Sequence, residues 1–276
     1  MVAGSNPVAP TTLTAANLMV CGGFFMWVSM NILLTNDDGI DASGLVALAA
    51  RLEEEGHQVW VVAPDRERSA QSHALTMHHA LRAQSRGEGR WAVSGTPADC
   101  VYLALHGLLP GRPDVLVSGI NRGANLGNDV HYSGTVAGAR EGCLNGIPSL
   151  SVSLHIPVRE KRHWTTAAEL AVGVLAKMGK SGLPEGVFLN LNVPNGPSCK
   201  GIRVCGLGPR HYEPLVSERQ DPRGRSYFWI GGPPRTTEAG QGTDVSWVSR
   251  GFASLTPLTV DATATDSLEG IRALVE

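Results

Sequence analysis

"MNILLTNDDGIDASG", running from Met30 to Gly44, decides the fold. Ile32 to Thr35 form a strand-compatible run that delivers the chain into Asn36, Asp37, Asp38 and Gly39, and a helical pattern begins only afterwards. Adjacent carboxylates at the end of a buried strand repel each other. They cost folding energy unless a cation, a basic side chain or bulk water compensates them.

Outward from this stretch the chain alternates strand and helix. Over residues 43–56, Leu45, Leu48, Ala49 and Leu52 recur at helical spacing, Ser43 is the expected N-cap, and Gly56 is a stop able to take the left-handed conformation. The strand "QVWVVAP" at 58–64 completes a βαβ unit. The pattern repeats through "RWAVSGTP", a helix over about Ala98–Leu108, "DVLVSG", a helix over about Gly134–Leu144, "PSLSVSL", a helix over about Thr165–Lys177, and "VFLNLNVP". Such alternation predicts an α/β fold with a doubly wound, mostly parallel sheet. After Pro194 glycine and proline rise. There "RSYFWIGG" and "FASLTPL" read as strands of a C-terminal β-hairpin or arm, and Ser267–Val275 as a short closing helix. The expected organisation is an extension over 1–29, a main domain over 30–195 and a hairpin and oligomerisation segment over 196–276.

With 276 residues, 42% of them apolar, the chain can bury a large core. Its 23 Lys and Arg against 25 Asp and Glu, net −2, argue against long nucleic acid as a partner. Five cysteines without a CxxC pair suit reduced thiols in the cytoplasm rather than a disulfide framework or a zinc site. The first 36 residues carry no charge. Leu18 to Met30 is apolar, but it lacks the basic flank of a signal peptide and is too short to span a membrane, so residues 1–29 are expected to be disordered or an overlong start assignment.

In open parallel sheets ligands bind beyond the carboxyl ends of the strands. There this chain places Asn36-Asp37-Asp38-Gly39, then "APDRERSAQSH" with Ser69, then "INRGANLGNDVHYSGTVAGA", which ends at a helix start. Carboxylates, a hydroxyl and an amide oxygen are hard ligands suited to Mg²⁺, Mn²⁺ or Ca²⁺. Backbone N–H groups at the Gly134 helix start, with Ser133 and Thr135 beside them, form an expected anion cradle. Each element alone has a structural alternative: a capped turn for the acid pair, tight turns for the glycines, an ordinary N-cap for "YSGT". His78 and His79, neighbours on an expected strand, would point to opposite faces and so make no metal cluster with His73.

"MNILLTNDDGIDASG", "VVAPDRERSAQSHALT", "SGTPADCVYLAL" and "PDVLVSGINRGANLGNDVHYSGTVAGAREG" together resemble, in order, the signature segments of the SurE family of survival-protein 5′/3′-nucleotidases. The resemblance covers most of residues 30–153 and implies a Rossmann-like catalytic domain followed by a C-terminal part that builds homodimers or homotetramers. It also implies one divalent metal per subunit, Mg²⁺ or Mn²⁺ with Ca²⁺ as a structural substitute, held by Asp37, Asp38, Ser69 and Asn121. Ala70 stands where the family has a glycine, and Asn128 where an acid is common.

The expected activity is hydrolysis of nucleoside 5′- and 3′-monophosphates by metal-activated water, with short polyphosphate as a side substrate. Asp37 and Asp38 are the catalytic pair, with Asp38 orienting the water. Phosphate would rest on Gly123, Asn125, Ser133, Gly134 and Thr135, and His131 is a candidate general acid. The competing reading is a non-catalytic nucleotide- or phosphate-binding module. A receiver-type switch needs an Asp after its third strand, and none lies between Asp65 and Asp99; a dehalogenase-type phosphatase needs DxD, where this chain has DDG.

Overall fold

The computed structural model describes residues 29–157, 160–232 and 240–275. The expectation for the N-terminal extension falls almost wholly outside them.

The alternation seen in the sequence becomes a nine-stranded sheet. Its strands are β1 (Asn31–Thr35), β2 (Gln58–Pro64), β3 (Ala83–Ser85), β4 (Arg90–Val93), β5 (Val115–Arg122), β6 (Ser149–His155), β7 (Val187–Pro194), β8 (Ile202–Val204) and β11 (Ala253–Thr259). Their order is β3-β4-β2-β1-β5-β6-β7-β11-β8. From β4 to β7 all pairs are parallel, while β3 on β4 and β11 on β7 are antiparallel. The chain winds one way from β1 through β2 to β4 and the other way from β5 to β7. The topological switch therefore lies between β1 and β5, where a crevice opens at the strand ends.

Helices cover both faces: α1 (Ser43–Glu54) packs with α4 (Trp164–Ser181) on one side, and α2 (Pro97–Leu103) with α3 (Gly134–Leu144) on the other. Side-chain alternation along β1 divides the core, with Ile32 and Leu34 entering the α1/α4 layer and Leu33 the opposite one. α1 begins directly after Ala42, without a side-chain cap, so Ser43 is its first residue rather than its cap.

Four other expectations change. "FASLTPL" is β11, a full member of the main sheet, because its backbone pairs along β7 from Ser254↔Asn192 to Thr259↔Val187. The expected arm is therefore confined to β9 (Leu215–Gln220) and β10 (Ser226–Gly231), which pair only with each other. "SWVSRGF", a segment rich in strand-forming residues for which an extended strand is the expectation, is instead largely helical: Thr243 accepts the Ser246 amide and starts α5 (Asp244–Ser249). His78 and His79 lie in the irregular, exposed connection between β2 and β3 rather than on a strand, while His73 meets Glu141 of α3 at 2.7 Å. The closing helix is α6 (Leu268–Arg272). Cys100, Cys143, Cys199 and Cys205 are free thiols. Among the described residues no helix is long and apolar enough to cross a membrane.

Candidate active site

The end of β1 supplies the acid pair because the strand has nowhere apolar left to run. Thr35 and Asn36 are fully buried, and the Asn36 side-chain amide donates to Gly39 O at 2.8 Å, folding the chain back over the two acids. Gly39 takes φ +103°, and a Cβ there would lie 3.3 Å from the Arg66 carbonyl carbon, so the turn requires glycine. Arg68 N donates to Asp37 O at 2.7 Å, which fastens the loop after β2 to the same corner.

Asp37 is only 4% exposed. Its carboxylate accepts the Thr135 hydroxyl at 2.5 Å and lies against Gly134, where a Cβ would come within 2.8 Å of Asp37 Cβ. Burial raises its pKa to about 6, with the Thr135 hydrogen bond opposing and the Asp38 charge adding to the rise. Asp38 is half-buried, and its Oδ2 accepts the Arg122 amide of β5 at 2.9 Å. Burial raises its pKa too, against the pull of the Arg122 amide and of the Arg122 and Arg162 charges.

β5 reaches this corner through an irregularity. Its register on β6 shifts between Ser118 and Asn121, and Gly119 packs so closely that a Cβ would sit 2.3 Å from Val152 O. The bulge brings Asn121 beside the acid pair's loop, and the Asn121 side-chain nitrogen donates to Gly123 O at 2.8 Å. That bond fixes the amide so that its oxygen is the unengaged end. Ser69 is exposed and donates to Glu67 Oε1 at 2.8 Å. Its loop passes through Ala70 at φ +57° and Ser72 at φ +53°, and Ser72 is latched to Tyr132 O and His131 O at 3.0 and 2.6 Å.

The glycine-rich loop is held from below. Asn125 N donates to Asn192 Oδ1 at 2.8 Å, its carbonyl accepts from Asn190 and Asn192, and its side chain donates to Ser153 Oγ at 2.8 Å. Gly123 N is likewise engaged, by Leu154 O at 3.0 Å. The amides of Gly123 and Asn125 are therefore committed within the protein, and these residues shape the loop. Ser133 Oγ caps α3 by accepting the Val136 amide at 3.1 Å. Buried Asp244 accepts the amides of Gly127 and Gly208 at 2.8 and 2.7 Å, while Arg210 pairs with Asp129 at 3.2 Å, so the C-terminal region clamps the loop. Asn190, Asn192 and Asp244 were not singled out from the sequence. Two asparagines at period 2 inside the apolar "VFLNLNVP" are the signal that could have found the first pair.

Three chain segments thus meet at the β1/β5 switch point: the end of β1 with Asp37 and Asp38, the loop of Ser69 tied in by Arg68 N on Asp37 O, and the end of β5 with Asn121, whose neighbour Arg122 donates to Asp38. Among the described residues no cluster of three or more His, Cys, Asp or Glu could hold a metal, so any ion here rests on two carboxylates and neutral oxygens. The Asn36 Oδ1 oxygen beside them is buried without a partner. That donor set fits a hard divalent cation.

The model of the family described as "Survival protein SurE" matches residues 32–214. The chain belongs to the SurE family. Among curated SurE proteins, the 5′-nucleotidase SurE of Geotalea daltonii is 51% identical over 246 residues, 88% of this chain and 98% of that one. The 5′-nucleotidase SurE of Stenotrophomonas maltophilia strain K279a is 46% identical over 248 residues, 89% of this chain and 96% of the relative. The crystal structure of a SurE protein from Aquifex aeolicus superposes with a TM-score of 0.79 at 39% identity, covering 89% of this chain and all of that one.

Proposed function

We propose that this SurE-family chain is a divalent-metal-dependent phosphomonoesterase. Its substrates would be nucleoside 5′- and 3′-monophosphates, with short polyphosphate a minor one, and it would work in the cytoplasm. The carrying observation is the buried Asp37 carboxylate, which adjoins Asp38 on one side and the N-terminus of α3 on the other. The names of the relatives, 5′-nucleotidase SurE, support the substrate class.

Asp37, Asp38, Ser69 and Asn121 would hold Mg²⁺ or Mn²⁺, with Ca²⁺ as a structural substitute. When bound, the ion supplies Lewis acidity toward a phosphoryl oxygen and toward water. Asp38, the more exposed acid, would accept a hydrogen bond from the attacking water and aim it. Ser133, Gly134 and Thr135 offer the phosphate the positive end of α3, whose first turn carries no acid. Gly123 and Asn125 keep the opposite wall open by committing their own amides inward.

The exposed β9–β10 hairpin supports a homo-oligomer, dimer or tetramer, because a two-stranded ribbon with apolar residues on both faces has no core of its own. Incubation with adenosine 5′- and 3′-monophosphate, followed by chromatography of adenosine, tests the function. Adenosine from both is the expected result. Nucleotide binding without any adenosine would make the chain a binding module instead.

A further inference from the structure

A cleft of about 230 Å³ opens beside Asp38, with no residue of α3 in its walls. Its walls come from the first turn of α1, the end of β5 and the entry to α4, and they carry Asp41, Glu67, Arg122, Arg162 and Trp164. That volume is below the roughly 300–1,000 Å³ of sites that enclose a whole drug-sized ligand, so it suits part of a nucleotide.

The walls are firm. Gly44 lets α1 approach so closely that a Cβ would lie 2.1 Å from Ile120 O and 3.0 Å from Trp164 Cζ3, and Trp164 packs on the α1/α4 core layer. The polar groups are spare. Asp41 and the guanidinium groups of Arg122 and Arg162 make no hydrogen bond or ion pair among the described residues, although both arginines bear electrostatically on Asp38.

Charge selects the occupant. With Asp38 reserved for the metal, the two carboxylates of Asp41 and Glu67 balance the two guanidinium groups. A subsite for a second phosphate would need a surplus of positive charge. A balanced wall with unengaged acceptors, donors and an indole instead fits a neutral ligand with hydroxyls and an aromatic ring.

We propose that this cleft receives the nucleoside half of the substrate, with Trp164 against the base and Asp41 accepting from the ribose hydroxyls. The proposal rests on the phosphomonoesterase reading above. Base stacking on an aromatic side chain tolerates any base, so the cleft selects nucleosides as a class over small esters and over diphosphates.

The test compares kcat/KM for adenosine 5′-monophosphate with that for methyl phosphate, which has no nucleoside. In Trp164→Leu and Asp41→Asn the ratio should fall about tenfold through a higher KM for the nucleotide, and Trp164→Phe should recover most of it. Asp41 is exposed, so its variant reads the cleft without disturbing packing. Equilibrium dialysis of adenosine supplies a readout independent of turnover: the wild type should bind it and both variants more weakly. An unchanged ratio with unchanged adenosine binding overturns the subsite while leaving the phosphatase reading intact. Absence of hydrolysis of either ester overturns that reading instead.

Discussion

The Thr135 hydroxyl meets Asp37 Oδ1 at 2.5 Å across 98 residues of chain, joining the first strand to the helix that follows the glycine-rich loop. Metal-free, this arrangement places a carboxylate in a nearly closed corner. Burial lifts the Asp37 pKa from 3.8 to about 6, so the folded form holds the proton more tightly than the unfolded chain. The resulting stability is complete below about pH 4 and is lost as pH rises to about 6. Its size is on the order of 3 kcal/mol. Asp37→Asn removes this titration. Without metal, the variant should match the wild type near pH 4 and exceed it in urea resistance above pH 6. A difference that is constant from pH 4 to 7 would contradict the assigned cause.

The same substitution should be ruinous for turnover. Asp37→Asn and Asp38→Asn keep side-chain volume while each removes one negative charge, and phosphate release should fall at least a hundredfold on the scale of lost transition-state electrostatics. The wild type should melt at higher temperature as Mn²⁺ is added, because a ligand bound only by the native state stabilises it by mass action. Neither variant should show that full shift. Differential scanning fluorimetry across a Mn²⁺ series reads both.

Gly134→Ala isolates the contact between α3 and the acid pair. Alanine favours a helix interior over glycine by about 1 kcal/mol, so propensity alone forecasts a more stable protein. Here the new Cβ would come within 2.8 Å of Asp37 Cβ and 3.2 Å of Pro97 Cγ. The protein should fold, with Asp37 displaced and kcat lowered tenfold or more. Wild-type kcat would show that the corner yields without consequence.

The hairpin leaves Phe228, Trp229 and Ile230 exposed at 60%, 64% and 90%. Such edges pair with other chains unless charge blocks them. The wild type should scatter light as a dimer or tetramer, and Trp229→Glu with Ile230→Glu should reduce its mass. A monomer mass for the wild type at micromolar concentration would refute the assembly.

Much of this was legible in residues 30–194, because β1, α3 and β7 announce themselves by periodicity and by the turn residues that end them. The C-terminal part was harder. "FASLTPL" shows the alternation of a strand, and nothing local reveals that its partner is the distant β7, with Ser254 opposite Asn192 and Thr259 opposite Val187. "SWVSRGF" is rich in β-formers, yet the Thr243 cap makes "DVSWVS" a helix. At the site, the place of Asp37 and Asp38 at the end of β1 could be read from the sequence. The inward commitment of the Gly123 and Asn125 amides could not, because it depends on Leu154 and Asn192 from other strands.

Release of inorganic phosphate from adenosine 5′-monophosphate, by protein stripped with EDTA and then titrated with Mn²⁺, tests the central claim most directly. The account requires release to vanish in the stripped protein and to return with metal in the wild type, while Asp38→Asn stays inactive throughout. Undiminished release by the stripped protein, or full activity of Asp38→Asn, would contradict it.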